Sequence, residues 1–174
     1  MKRFIGFVIA VLLLSSCGNP RSDYYVFSFG DYSLTPGYDD VDFVRLVFDV
    51  DTGAKMEAGQ EINDLEVYLF SDYVCSIDIY NPSSRTVDIG KARIKRLDYF
   101  VGNISVDTLM IDGIELDSSV KKNCEIFKGE YIERNGYACV ISKKVHGTEN
   151  VIILSGDLLN IDQDELHRIQ IYVE

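Results

Sequence analysis

Apolar and polar residues alternate with a period of two along most of this chain, which predicts β-strands. Cys75, Ile77 and Ile79, for example, alternate with the polar Ser76 and Asp78. This pattern is typical of a strand that buries one face. On the same grounds we predict strands within residues 24–29, 41–51, 65–70, 73–80, 87–100, 151–154 and 169–173.

Two dipeptides predict tight hairpin turns between further strands. Asp112-Gly113 lies in the middle of the segment 108–116, and Asn135-Gly136 lies in the middle of the segment 131–142. Asp-Gly and Asn-Gly suit the two central positions of a type I′ turn, which require positive φ angles. Each segment is therefore predicted to form an antiparallel pair of strands.

Together these segments predict an all-β protein with roughly nine to eleven short strands. An antiparallel β-sandwich is favoured, in an immunoglobulin-like arrangement or another one, and a β-barrel is the alternative. We expect one such domain over residues 24–174. A short helix fits only at residues 157–168, with Asp157 or Asp162 as its N-cap.

The first residues follow a different pattern, that of a secretory signal. Lys2 and Arg3 precede an apolar run at residues 4–14, and the small Ser15 and Ser16 lead directly to Cys17. The run has about 11 residues, whereas a helix needs about 20 to span a bilayer. A helix of the domain core would show a polar face, and this run shows none.

The segment Leu14-Ser15-Ser16-Cys17 resembles the lipobox of bacterial lipoproteins. The resemblance implies that residues 1–16 are removed and that Cys17 becomes the lipidated first residue. Residues 17–23 would then be a short tether to a cell membrane. Gly18 in place of an aspartate implies delivery to the outer membrane in a host with two membranes.

Charge limits the partners of such a protein. The whole chain has a formal charge of −11, and removal of Lys2 and Arg3 with the leader takes it to −13. A surface this acidic repels nucleic acid phosphates and anionic headgroups, so no nucleic acid partner is expected. Membrane attachment would have to come from the lipid.

Three cysteines follow Cys17, an odd number for a chain outside the cytoplasm. If a disulfide forms, we favour Cys124 with Cys139, because the turn at Asn135-Gly136 brings the chain back. Cys75 would then stay buried as a free thiol. The alternative is that all three are small buried side chains.

Acidic clusters are the candidate metal ligands. Asp49 with Asp51, and Asp162 with Asp164, group hard oxygen donors that suit calcium. The first cluster departs from an EF-hand loop because Gly53 occupies a ligand position. Solvated surface acids are the alternative, so no cofactor is predicted and calcium is kept as a secondary hypothesis.

No constellation for common catalysis is evident, since His146 and His167 are the only imidazoles and neither accompanies a nucleophile motif. We therefore expect a lipid-anchored envelope or surface protein that is not an enzyme and binds a protein, peptide or glycan, or acts structurally. The alternatives are an envelope hydrolase with paired carboxylates and a calcium-binding surface domain.

Overall fold

The computed structural model describes residues 20–44, 47–48, 53–69, 71–102, 108–133, 137–145, 147–157 and 164–174. This part of the chain is built mainly of strands. They are β1 Phe27–Phe29, β2 Tyr32–Leu34, β3 Val47–Phe48, β4 Lys55–Met56, β5 Glu61–Leu69, β6 Asp72–Tyr80, β7 Val87–Asp88, β8 Arg93–Phe100, β9 Leu109–Ile111, β10 Ile114–Glu115, β11 Glu130–Ile132, β12 Ala138–Val145, β13 Thr148–Gly156 and β14 Leu166–Val173.

The large sheet contains eight strands in the order β11-β12-β13-β14-β8-β6-β5-β3. It joins two antiparallel meanders, one from each half of the chain, through the pairing of β14 with β8. A second sheet has the order β10-β9-β1-β2 and likewise joins two hairpins, through β1 and β9. Strands β4 and β7 form a separate pair.

These sheets confirm the predicted all-β, sandwich-like fold. The large sheet is open, with β3 and β11 at its edges, so the alternative of a closed barrel is wrong. Eight strands in one sheet and four in the other also differ from the four-plus-three strands of immunoglobulin constant domains.

The hairpin at Asp112-Gly113 is confirmed in detail. Asp112 has a φ of 51° and Gly113 a φ of 77°, and β9 and β10 pair on either side of them. Both angles lie in the left-handed region that a type I′ turn requires. The turn at Asn135-Gly136 lies outside the described residues, although β11 and β12 beside it pair antiparallel as expected.

The described helices are short, and the longest lies where the sequence predicted none. An eight-residue helix spans Val120–Phe127, and one-turn helical segments occur at Pro20–Asp23, Val41–Val44 and Ile89–Lys91. A short helix was expected to fit only in the segment 157–168, of which residues 158–163 lie outside the described part and the residues from Leu166 onward belong to β14. The strand predicted at 41–51 is also wrong at its start, where the Val41 amide donates to the Ala92 carbonyl and the chain turns.

The core lies between the two sheets. Phe27 and Phe29 of β1 are fully buried, and both rings contact the ring of Tyr99 on β8, with centroids 5.2 and 5.9 Å away. Apolar side chains from alternate positions of the large sheet belong to the same core, including Cys75, Ile77, Leu97, Ile152, Leu154, Ile169 and Ile171. The small sheet therefore covers one face of the large sheet.

The eight-residue helix covers the same face further along. Its N-cap is Ser119, whose hydroxyl accepts from the Lys122 amide, and it ends at Lys128 with a φ of 55°. Val120 and Cys124 are buried in the core. The opposite face of the large sheet, called the open face below, carries mostly half-buried polar, aromatic and aliphatic side chains, with Asp98 buried among them.

Candidate functional site

The centre of the open face is a group of charged and polar side chains, which we call the Asp98 cluster. Because side chains alternate along a strand, Arg96 and Asp98 of β8 point away from the core residues Leu97 and Tyr99. Strand pairing places Gln170 opposite Asp98, and Asp98 opposite Ser76. The cluster consists of Asp78, Arg96, Asp98, Arg168 and Gln170.

Asp98 accepts hydrogen bonds from three side chains. Arg168 forms a two-pronged contact, with Nε 2.7 Å from Oδ1 and Nη2 on Oδ2. Arg96 Nη2 lies 2.8 Å and Gln170 Nε2 3.2 Å from Oδ2. The Asp98 side chain is only 5% exposed, because these donors cover it. The second amino group of Arg96 contacts Asp78 Oδ2 at 3.3 Å.

The pKa of Asp98 reflects two opposing effects. Burial alone would raise it, but the hydrogen bond and the positive charge of Arg168, together with Arg96, hold the pKa below its ordinary value. The same contact raises the pKa of Arg168. Asp98 is therefore a permanent anion at neutral pH and lacks the raised pKa of a general acid.

Aromatic side chains flank the cluster at one end of the open face. The guanidinium of Arg168 lies 5.1 Å from the centre of the Phe100 ring, and the rings of Tyr68 and Tyr73 meet edge to face at 6.2 Å. The Tyr68 hydroxyl donates to Glu66. Half-buried aromatic rings beside charged groups offer both apolar area and hydrogen bonds to a partner.

Of the proposed calcium ligands, only Asp164 lies among the described residues; Asp49, Asp51 and Asp162 lie outside them. The Asp164 carboxylate accepts from the Ser119 hydroxyl and from the Lys121 amide, the latter at 2.9 Å. It thus stabilises the N-terminus of the eight-residue helix, where backbone amides lack partners within the helix. Within the described residues, no group of three or more His, Cys, Asp or Glu side chains could hold a metal ion.

The structure places Cys124 next to Cys139, the pair that the sequence favoured if a disulfide forms. Cys124 lies on the helix and Cys139 on β12, and their thiols are in hydrogen-bond contact without being covalently bonded. Burial and this contact raise the pKa of Cys139. Gly129 makes the approach possible, because a Cβ at this residue would lie 2.7 Å from the Cys139 sulfur. Cys75 is also a buried free thiol.

The remaining catalytic candidates among the described residues are His167 and the carboxylates of Asp78 and Asp98. His167 is exposed, and its ring lies edge to face with the Phe100 ring, the two ring centres being 6.0 Å apart, while His146 lies outside the described residues. Asp78 and Asp98 share the Arg96 guanidinium, and the pKa of Asp98 is lowered, whereas the general acid of a glycosidase pair has a raised pKa. Depressions of about 250 and 270 Å³ lie beside Cys124 and beside Ser118.

Arg21, four residues after Cys17, is already hydrogen-bonded to the folded domain, at the end of the molecule opposite Phe100. Arg21 Nε donates to Thr35 Oγ1 at 3.0 Å, and its Nη2 contacts Asp39 Oδ2 at 3.3 Å. Asp39 is 2% exposed, and its Oδ2 also accepts from the Thr35 amide at 2.8 Å. Burial outweighs these contacts and raises the pKa of Asp39.

The class of protein defined so far is an all-β, sandwich-like domain with a charged and aromatic open face. Comparison with protein-family models, with curated proteins and with solved structures finds no significant match. The described residues contain no helix with the length and apolar composition of a membrane-spanning segment.

Sequence reasoning missed the Asp98 cluster. The sequence did contain a signal, because polar residues lie two positions apart in two segments, Arg96 with Asp98 and Arg168 with Gln170. Residues at this spacing lie on the same face of a strand. Their convergence depends on the pairing of β8 with β14, and these strands are separated by more than 60 residues. The helix also had a signal, since Ser119 precedes Val120, Cys124 and Phe127 at helical spacing.

Proposed function

We propose that this protein is a lipid-anchored bacterial envelope or surface protein that acts as a non-enzymatic binding or structural module. The observation that carries the proposal is the lipobox-like segment ending at Cys17, followed within a few residues by the packed fold. The hydrogen bonds of Arg21 leave almost no free tether between the proposed lipid and the domain. Such a chain suits a protein that works close to its membrane.

Lipidation is tested by labelling the full-length protein in a bacterial host with a fatty-acid analogue. We expect the wild-type chain to incorporate the label and Cys17→Ser to lose it, because the thioether needs the cysteine sulfur. Cys124→Ser is the matched control, since it removes a different thiol and should keep the label. Equal labelling of Cys17→Ser and the wild type would refute the anchor.

The open face supports the binding part of the proposal. It combines partly exposed arginine side chains with half-buried aromatic rings, and arginine and aromatic residues are enriched in binding interfaces. The partner would be a protein, a peptide or a glycan of the envelope. Phe100 contributes apolar contact area to this face. The substitution Phe100→Ala would remove that area without changing the charge of the face.

The binding surface is tested with a photo-crosslinking residue placed at Phe100 in the lipidated protein in cells. The matched control places the same residue at Glu125, which is exposed on the eight-residue helix across the molecule. We expect discrete crosslinked products from position 100 and none from position 125. Products from position 125 alone would move the binding surface away from the open face.

A further inference from the structure

The end of the domain nearest Cys17 carries an unusual set of side chains. Tyr24 and Tyr38 place their ring centres 6.3 Å apart, and the Arg93 guanidinium lies 6.0 Å from the centre of the Tyr38 ring. All three side chains are partly exposed. We call these three residues the anchor-end patch.

The patch is held rigidly by the fold. Arg93 Nη1 donates to the Tyr38 carbonyl at 2.6 Å, and the Gly37 amide donates to the Ile94 carbonyl at 2.7 Å. Gly37 has a φ of 87°, and a Cβ there would lie 2.5 Å from the Tyr24 ring. The Tyr24 ring therefore packs directly on the turn that carries Tyr38.

Covalent geometry fixes how far this end can be from a lipid on Cys17. Only Gly18, Asn19 and Pro20 separate Cys17 from Arg21, so the two Cα atoms are at most about 14 Å apart even in a fully extended chain. The headgroup layer is itself about 5 to 7 Å thick on each side of a bilayer. Arg21 must therefore lie within or just above that layer.

The chemistry of the patch suits a headgroup layer. Tyrosine is enriched at membrane interfaces because its ring is apolar and its hydroxyl is polar. The Arg93 guanidinium has five N–H donors, so it can donate to a lipid phosphate and keep its bond to the Tyr38 carbonyl. The nearby Asp39 charge is already paired with Arg21, at 3.3 Å.

We propose that the anchor-end patch, Tyr24, Tyr38 and Arg93, lies in the phospholipid headgroup layer next to Cys17 and holds the domain in one orientation. This inference rests on the proposed lipidation of Cys17. In that orientation β8 runs away from the membrane from Arg93 to Phe100, a distance of about 23 Å. The aromatic end of the open face then points away from the bilayer.

The chain contains no tryptophan, so a single tryptophan reports one position without background. We would prepare full-length lipidated Tyr38→Trp and, as the matched control, Phe100→Trp at the far end of β8. Both are reconstituted into phosphatidylcholine vesicles, with and without bromine on the acyl carbons nearest the headgroup. Flotation of the vesicles measures anchoring independently of the fluorescence.

We expect bromine to quench the emission of Tyr38→Trp about twofold or more and to leave Phe100→Trp unchanged, because only position 38 would lie at the interface. Equal quenching of both variants, or of neither, in protein that floats would overturn the orientation and leave the lipid anchor in place. A wild-type chain that does not float would instead overturn the anchor, and the orientation with it.

A second measurement covers the case in which Tyr38→Trp does not fold. Hydroxyl-radical footprinting of the wild-type protein compares Tyr38 with Tyr73, which lies at the far end of the open face. We expect vesicles to reduce labelling of Tyr38 severalfold relative to detergent-free Cys17→Ser protein and to leave Tyr73 unchanged. Undiminished labelling of Tyr38 in floated vesicles would contradict the proposal.

Discussion

Asp98 and Tyr99 are consecutive residues of β8, and they show how differently the two faces of the large sheet are stabilised. Both residues are buried, Asp98 with 4% and Tyr99 with 0% of its surface exposed. Asp98 on the open face accepts hydrogen bonds from three side chains, whereas the Tyr99 hydroxyl on the covered face has no partner among the described residues.

This difference shows that burial has two separate causes in the sheet. The covered face excludes water by packing against the small sheet. Tyr99 contributes to this packing through its ring, which contacts the rings of Phe27 and Phe29. Burial raises the pKa of Tyr99 to about 12. On the open face, water is excluded from Asp98 because arginine side chains cover its carboxylate. The contribution of Asp98 to the stability of the fold therefore depends on its charge.

The largest expected effect is on the covered face. Phe27→Ala removes a fully buried ring from between the sheets and should lower the free energy of unfolding by about 3 to 5 kcal/mol. Urea denaturation measures the change. Ile114→Ala is the matched control in the same small sheet, because Ile114 is 45% exposed and should change stability little. Similar losses for both variants would contradict the assigned core.

The second-largest expected effect is a stabilisation of the fold by a disulfide between the two thiols on the covered face, those of Cys124 and Cys139. A disulfide between Cys124 and Cys139 closes a loop of about 15 residues and should add roughly 3 kcal/mol, provided the geometry is unstrained. Oxidation transfers two electrons to a disulfide oxidant and releases two protons. Alkylation of the unfolded, non-reduced mature protein should then find one thiol, Cys75. Three alkylated thiols, or a bridge from Cys75, would contradict this pairing.

On the open face, Asp98→Ala should lower the free energy of unfolding by about 2 to 3 kcal/mol. Removing one partner of a buried pair typically costs about 3 to 5 kcal/mol. The loss should be smaller here because the Arg96 and Arg168 side chains are 32% and 37% exposed and stay partly hydrated. Asp88→Ala is the control, since the Asp88 pair with Lys55 is mostly exposed and should contribute little. A loss no larger than the control would show that the pair contributes no net stability.

The pH dependence of that contribution has a definite sign. The folded-state pKa of Asp98 lies below the ordinary value of 3.8, so its stabilisation is present above pH 3.8 and is lost as the pH falls through the folded pKa. The stability difference between wild type and Asp98→Asn should shrink below pH 3.8. Denaturation curves over pH 2.5 to 7 measure it.

Asp39 provides the matched control for this pH dependence, because its folded-state pKa is raised by burial. Its ionised form is therefore disfavoured in the fold, and stability is lost as the pH rises from 3.8 through the folded pKa. The stability of Asp39→Asn relative to the wild type should therefore increase as the pH rises. If the stability differences of the Asp98 and Asp39 variants changed in the same direction with pH, the opposite pKa shifts of the two aspartates would be contradicted.

The smallest effect is expected from Tyr99→Phe. Deleting a buried hydroxyl that has no partner should leave stability unchanged or raise it by up to about 1 kcal/mol, since no hydrogen bond is lost. Thermal unfolding in parallel with Tyr68→Phe, which removes a hydroxyl bonded to Glu66, provides the comparison. A loss well above that of Tyr68→Phe would reveal a partner of the Tyr99 hydroxyl.

Much of the fold could be predicted from the sequence, whereas the arrangement of the open face could not. The alternation of Cys75, Ile77 and Ile79 correctly assigned the buried side of β6. It did not reveal that Asp98 would be buried on the other side. Alternation assigns residues to a face, but only the neighbouring strands decide what lies beside them.

Local chemistry explains what the sequence determined by itself. Asp112-Gly113 forms its turn because both residues tolerate positive φ angles, whatever surrounds them. Strand periodicity holds for the same reason, since successive side chains must point to opposite sides of an extended chain. The all-β class, the hairpin and the buried faces of β6 and β14 follow from these local rules.

Tertiary structure alone decided which distant residues meet. Pairing of β8 with β14 brings Arg168 to Asp98 across 70 positions of the chain, and packing of the eight-residue helix brings Cys124 to Cys139. Asp164 accepts from the Lys121 amide at the N-terminus of that helix, 43 positions away in the chain. These contacts form because strand pairing and core burial lower the free energy of the whole chain, which no local pattern encodes.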